Sequence, residues 1–130
     1  MAFNPNQVVL DGFTQHDHAY TMFISGVVTP ADVGKAVSLD LTADATVKLA
    51  ADGDAIYGRL FQIEDRSQEG VTTCTVETRF RKKLPKTDAA ILRGASVVGA
   101  GAGLVKSALP SSKNIVLAVN ETADTVIVEQ

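Results

Sequence analysis

The 130-residue chain has no tryptophan, one cysteine and two histidines, and aromatic residues make up only 5% of it. Each shortage excludes something. A single cysteine, Cys74, forms no internal disulfide and suits folding in a reducing cytoplasm. Its expected place is a buried structural one, since a catalytic thiol wants a histidine partner that the sequence does not pair with it. With so few aromatics the core has to be built from Val, Leu, Ile and Ala. No apolar run approaches the ~18–20 residues of a membrane helix, and "MAFNPNQ" lacks the basic-then-apolar pattern of a secretory signal. Apolar residues still reach 45%, enough for the core of one domain and too many for a chain unfolded by composition.

Net charge is −3, unevenly spread. Residues 1–65 hold three basic and nine acidic side chains, and residues 66–130 hold nine and six. Unmixed, these halves make an acidic and a basic face suited to assembly with protein partners. Mixed by folding, they cancel.

"SVVGAGAGLVKSA", residues 96–108, has the look of a dinucleotide-binding fingerprint. That motif needs G-x-G-x-x-G and a helix whose N-terminus holds the phosphate. Here the third glycine place is Leu104, and "LVKSALPSSKN" has no helical apolar face. Glu121 stands near the acid's usual offset, but only 27 residues follow Gly103. The plainer reading is two short strands joined by a glycine turn.

The rest reads the same way. Residues 1–19 form a polar arm with isolated Phe3 and Phe13. The domain proper is expected over 20–130. "YTMFISGVV" opens it as a strand, and "TPADVG" is a turn or a single helical turn. In "KAVSLDL", Val37, Leu39 and Leu41 alternate with Ser38 and Asp40, which predicts a half-buried strand. "TVKLA", a turn at Asp52-Gly53 and "AIYGRLFQIED" follow, Gly58 marking a bulge or a close backbone neighbour. "GVTTCTVETRFRKKL" is one long alternating strand, with Cys74, Val76, Thr78 and Phe80 on one face and Thr75, Glu77, Arg79 and Arg81 on the other. "PKTDAAILRG" is the one short helix allowed, capped by Thr87 or Asp88 and ended by Gly94. "NIVLAV" and "TVIVEQ" close the chain. About eight or nine short strands with closely spaced turns predict an all-β fold, a compact barrel or sandwich with an extended N-terminal arm.

Chemical motifs are sparse. His16 and His18 of "HDH" would share a strand face, but a zinc site wants three or four ligands, so no metal is expected. Asp52, Asp54, Glu64 and Asp65 read as turn and surface acids, and no G-x-S-x-G stands in the chain. No catalytic residue and no cofactor is expected. "RFRKKLPK" is the densest basic run, carrying Arg79, Arg81, Lys82, Lys83 and Lys86. A nucleic-acid binder is usually basic overall, so a protein-docking patch or a charged edge strand fits this acidic chain better.

The string from Gly26 to Lys106, with "VGKAV", "VKLAADGDAIYGRL", "EDRSQEG", "KKLP" and "VVGAGAGLVK" in that order, resembles the small capsid decoration, or cement, proteins of tailed bacteriophages. The resemblance implies a non-enzymatic β domain made in the bacterial host's cytoplasm and bound to the virion exterior. It would bridge major capsid protein subunits and stabilise the expanded head. It implies self-association too, as a homotrimer ahead of a dimer, and neither nucleic acid nor membrane as partner. Phe3, Phe13, Tyr20 and Phe23 are the candidate apolar anchors, with Arg79, Arg81, Lys82 and Lys83 as the candidate charged contacts. The alternatives are the base of a head fibre or other appendage and a small-ligand-binding β-barrel.

Overall fold

A computed structural model describes residues 18–87, 90–108 and 113–130. It is all-β, with ten strands. β1 (His18–Ile24), β2 (Ala36–Leu39), β3 (Thr46–Leu49), β4 (Gly58–Arg66) and β5 (Val71–Arg79) close a barrel in the order β1-β3-β2-β4-β5. All its pairings are antiparallel except the short β1–β3 contact. β6 (Arg81–Pro85), β9 (Ile115–Asn120) and β10 (Thr125–Glu129) form a sheet in the order β6-β10-β9, and β7 (Ser96–Gly101) and β8 (Leu104–Ala108) form a hairpin.

Two apolar cores follow from this division. Val37, Val47, Leu60, Cys74 and Val76 fill the barrel. Phe80, Leu84, Val97, Val105, Val116, Val126 and Val128 pack between the hairpin and the second sheet, with Ala36 and Ala50 of the barrel side closing that core. β-Branched valine suits both, because its stiff side chain packs well on a pleated surface. The hairpin is stitched to the barrel by backbone bonds: Ala36 N–H donates to the Gly103 carbonyl (3.0 Å), and Gly99 N–H to that of Asp54 (2.8 Å). Buried Asn114 joins the segment before β9 to β7, accepting from Val97 N–H at 2.8 Å and donating back to the Val97 carbonyl at 3.2 Å.

Of the glycines of residues 96–108, Gly101 and Gly103 have the turn role expected of them, whereas Gly99, expected in the same turn, lies inside β7. Gly101, Ala102 and Gly103 all have positive φ and close the β7–β8 hairpin. Gly99 is needed for space: a Cβ there would run into the Ala51 carbonyl oxygen and within 3.0 Å of the Ala50 Cβ. Gly58 opens β4 against β5, where a Cβ would lie 2.6 Å from the Glu77 carbonyl oxygen, so it marks the close backbone neighbour.

Five expectations need revision. The long strand expected over residues 71–85 is two, because the chain leaves the barrel at Phe80, which turns into the second core at 3% exposure. Glu77, expected on an outer face, is 2% exposed. Leu39 and Leu41, expected in the core with Val37, are exposed, while Ser38 is buried. Of the expected helix, Asp88 and Ala89 lie outside the described residues, and Ala90–Leu92 are not helical. The only helical turns among the described residues are short 3-10 turns at Pro30–Asp32, where one was expected, and Ser67–Glu69. β1 begins at His18, two residues inside the stretch assigned to the arm. Phe3, Phe13 and His16 lie outside the described residues.

Candidate interaction surface

The basic run straddles the break between β5 and β6, and its members have separate fates. Arg79 ends β5 with its side chain exposed. Arg81 opens β6 and sets Nη2 3.0 Å from Glu129 Oε1 across the β6–β10 pairing, both side chains near half exposure. Lys82 is withdrawn: its Nζ donates to Glu77 Oε2 at 2.7 Å and lies 5.3 Å from the centre of the Phe61 ring. Arg59 holds the other oxygen of the same carboxylate, donating from Nη1 to Oε1 at 2.9 Å, while its Nε donates to the Lys83 carbonyl at 3.0 Å. Arg59, paired with Glu77 across β4–β5, thereby ties the barrel wall to β6. Two cations around one carboxylate satisfy a charge that could not stay buried alone. Lys83 is half-buried. Arg79 and Arg81 are therefore the charges this segment offers a partner.

Of the apolar candidates, Tyr20 and Phe23 fall on the barrel. Tyr20 and Phe23 of β1 are 54% and 46% exposed. Phe23 lines an open cleft of about 370 Å³ with Ile24, Gly70, Val71 and Thr72, so the β1–β5 edge of the barrel presents an apolar hollow.

A second apolar surface was not foreseen. Leu39, Leu41, Ala55, Ile56 and Tyr57 line a groove of about 590 Å³, rimmed by Asp54, Lys113 and Gln130. The signal was present in "DLT": the Asp40 carboxylate accepts from both the amide (2.9 Å) and the hydroxyl (2.6 Å) of Thr42. That local turn competes with strand pairing. It ends β2 and swings Leu41 outward, 92% exposed. The Thr42 bonds, joined by one from Ser25, hold the Asp40 carboxyl down to about 2.

The other acids have structural partners. Asp54 caps its own turn, accepting from the Ser38 hydroxyl (2.9 Å) and Ala51 N–H (3.1 Å), bonds that with nearby Lys48 lower its pKa. Asp52 pairs with Lys106 of β8. Cys74 lies in the barrel core, and burial pushes its thiol up to about 11, so it stays neutral. Among the described residues no three His, Cys, Asp or Glu side chains are grouped as a metal would need. No family model and no curated protein matches the chain, so the arrangement of its surfaces has to carry the functional reading.

Proposed function

We propose that the chain is a structural virion protein of a tailed bacteriophage, binding the outer surface of the expanded capsid, bridging major capsid protein subunits and stabilising the head. The observation that carries this reading is the ordered resemblance of residues 26–106 to capsid decoration proteins. Its elements coincide with the turns and tight packing that shape this fold. "VGKAV" leads into β2, "VKLAADGDAIYGRL" spans β3, its turn and the start of β4, "EDRSQEG" ends β4 and makes the β4–β5 connection, and "VVGAGAGLVK" is the β7–β8 hairpin. The exposed Tyr20 and Phe23 beside the β1–β5 hollow supply apolar area for docking, and Arg79 and Arg81 supply charge. Exposed aromatic anchors together with arginines suit a specific protein interface. The same surfaces serve self-association into a trimer or dimer.

The filled barrel interior counts against the ligand-binding alternative, which requires a lined internal cavity. The test is co-sedimentation of the purified protein with expanded, undecorated capsids of the phage that encodes it. Saturable binding at a fixed ratio to the major capsid protein is expected, and the ratio identifies the symmetry site. A folded protein that stays in the supernatant overturns the reading in favour of an appendage.

A further inference from the structure

The barrel closes between β1 and β3 only at Phe23 and Ile24, which pair with Thr46 and Val47. Ahead of that contact β1 is an edge strand. Phe23 and Ser25 point their N–H groups away from β5, donating to the carbonyls of Ala45 and Val47 at 2.9 Å each. Direction alternates along a strand, and β1 is regular against β5 from Ala19 to Phe23. Thr21 and Ala19 therefore turn their N–H and C=O groups to the same outer side. No backbone group among the described residues meets them there, and Ala19, Tyr20 and Thr21 are exposed. We infer that this edge pairs with the same edge of a second copy of the chain, antiparallel across a two-fold axis at Tyr20.

Three observations point to a second copy. The first is that the edge is unguarded. Exposed edges are ordinarily blunted by charge, by proline or by a covering segment, yet Ala19–Ile24 holds no charged residue, proline or glycine. The other edges are defended. On β7, Gly99 exchanges bonds with Gly53 and Asp54; on β8, Val105 accepts from Thr87; on β9, Val116 bonds Gly94 and Ala95. β4 beyond Leu60 carries Glu64, Asp65 and Arg66. The second is that the edge fits itself. With Ala19 opposite Thr21 of the second copy, each pair exchanges both of its hydrogen bonds, and every outward backbone group of the two residues is satisfied. A register centred on Thr21 would call on Phe23, whose N–H is already given to Ala45. The third is Tyr20, 54% exposed. On the axis it faces its own counterpart in a non-hydrogen-bonded pair, where Cα atoms stand about 4.5 Å apart and aromatic side chains attract. The inference deepens the self-association in the proposed function and rests on that part of it alone. It selects a two-fold and leaves Phe23 and its hollow to the capsid.

The experiment is sedimentation equilibrium of the full-length protein over a range of concentrations, with no capsid present, so its failure is separate from a failure to bind capsids. The mass is expected to rise from the 13.7 kDa of one chain to twice that and no further. Tyr20→Lys sets like charges face to face on the axis. Thr21→Pro removes an outward N–H at a position where an edge strand accepts proline. Each should weaken association at least about tenfold, with circular dichroism unchanged. Cross-linking reads the register directly. Under oxidation Tyr20→Cys should form a disulfide dimer, because facing Cα atoms about 4.5 Å apart are within disulfide reach. Thr21→Cys should not, since its counterpart lies more than about 7 Å away in this register. Native Cys74 is buried and takes no part. A mass that stays at one chain or climbs to three overturns the inference, as does association that survives both substitutions or equal cross-linking at both positions.

Discussion

Glu77 shows how much one residue does here. Its carboxylate is 2% exposed and holds Arg59 and Lys82, themselves 17% and 14% exposed. Glu77→Gln keeps the shape and removes the charge, leaving two cations facing a neutral amide. Breaking a buried ion pair from one side costs about 3 kcal/mol or more, so thermal unfolding should show a fall of roughly 10 °C. An unchanged midpoint would mean water reaches both cations. Asp40 makes the opposite kind of contribution, at the surface. Its folded pKa lies below the ordinary carboxylate value, so its stabilisation is complete above pH ~4 and lost as pH falls towards ~2. Asp40→Asn should flatten the acid limb of a Tm-against-pH curve between those values and leave its slope near neutrality alone.

Among the elements, the β7–β8 hairpin is the most exacting. Gly99→Ala puts a methyl group against the Ala51 carbonyl and the Ala50 side chain, prising the hairpin from the barrel. The cost of such overpacking is about 1–3 kcal/mol, and a lowered urea midpoint with an unchanged m-value is expected. This hairpin was legible in the sequence because glycine's two uses, positive φ and close approach, leave the same mark. So were the other short strands, whose turns at Asp52-Gly53 and Asn120–Asp124 are written in local chemistry. The break at Phe80 was not legible, because alternation continues unbroken through "TRFRK" while the chain changes sheets; period tells faces apart, not sheets. Glu77 was missed for a related reason. Its burial is decided by its neighbours in space, Arg59 of β4, 18 residues distant in sequence, and Lys82 of β6 folded over the barrel wall. Leu41 misled because the Asp40–Thr42 turn overrides the apolar pattern that precedes it.

For the whole molecule, folding mixes the charges that the sequence keeps apart. Arg59 of the acidic half meets Glu77 of the basic half, and Lys106 meets Asp52 in the other direction. Lys86, its side chain fully buried, reaches Glu121 at 3.0 Å. What remains for a partner is less than the run of Arg79, Arg81, Lys82 and Lys83 suggests, and this decides how docking should be probed. Reversing Lys82 would put a second carboxylate beside buried Glu77 and damage the fold before any partner is met. The informative variant is Arg79→Glu with Arg81→Glu. Arg79 is exposed, and Arg81 gives up only a surface pair with Glu129, worth about 1 kcal/mol at most. This double variant should unfold within a few degrees of the wild type. Its affinity for expanded capsids should drop at low salt, chiefly through slower association, and the difference from wild type should shrink as salt is raised. Equal affinity at low salt would take the basic segment out of the interface and leave docking to the apolar hollow at Phe23.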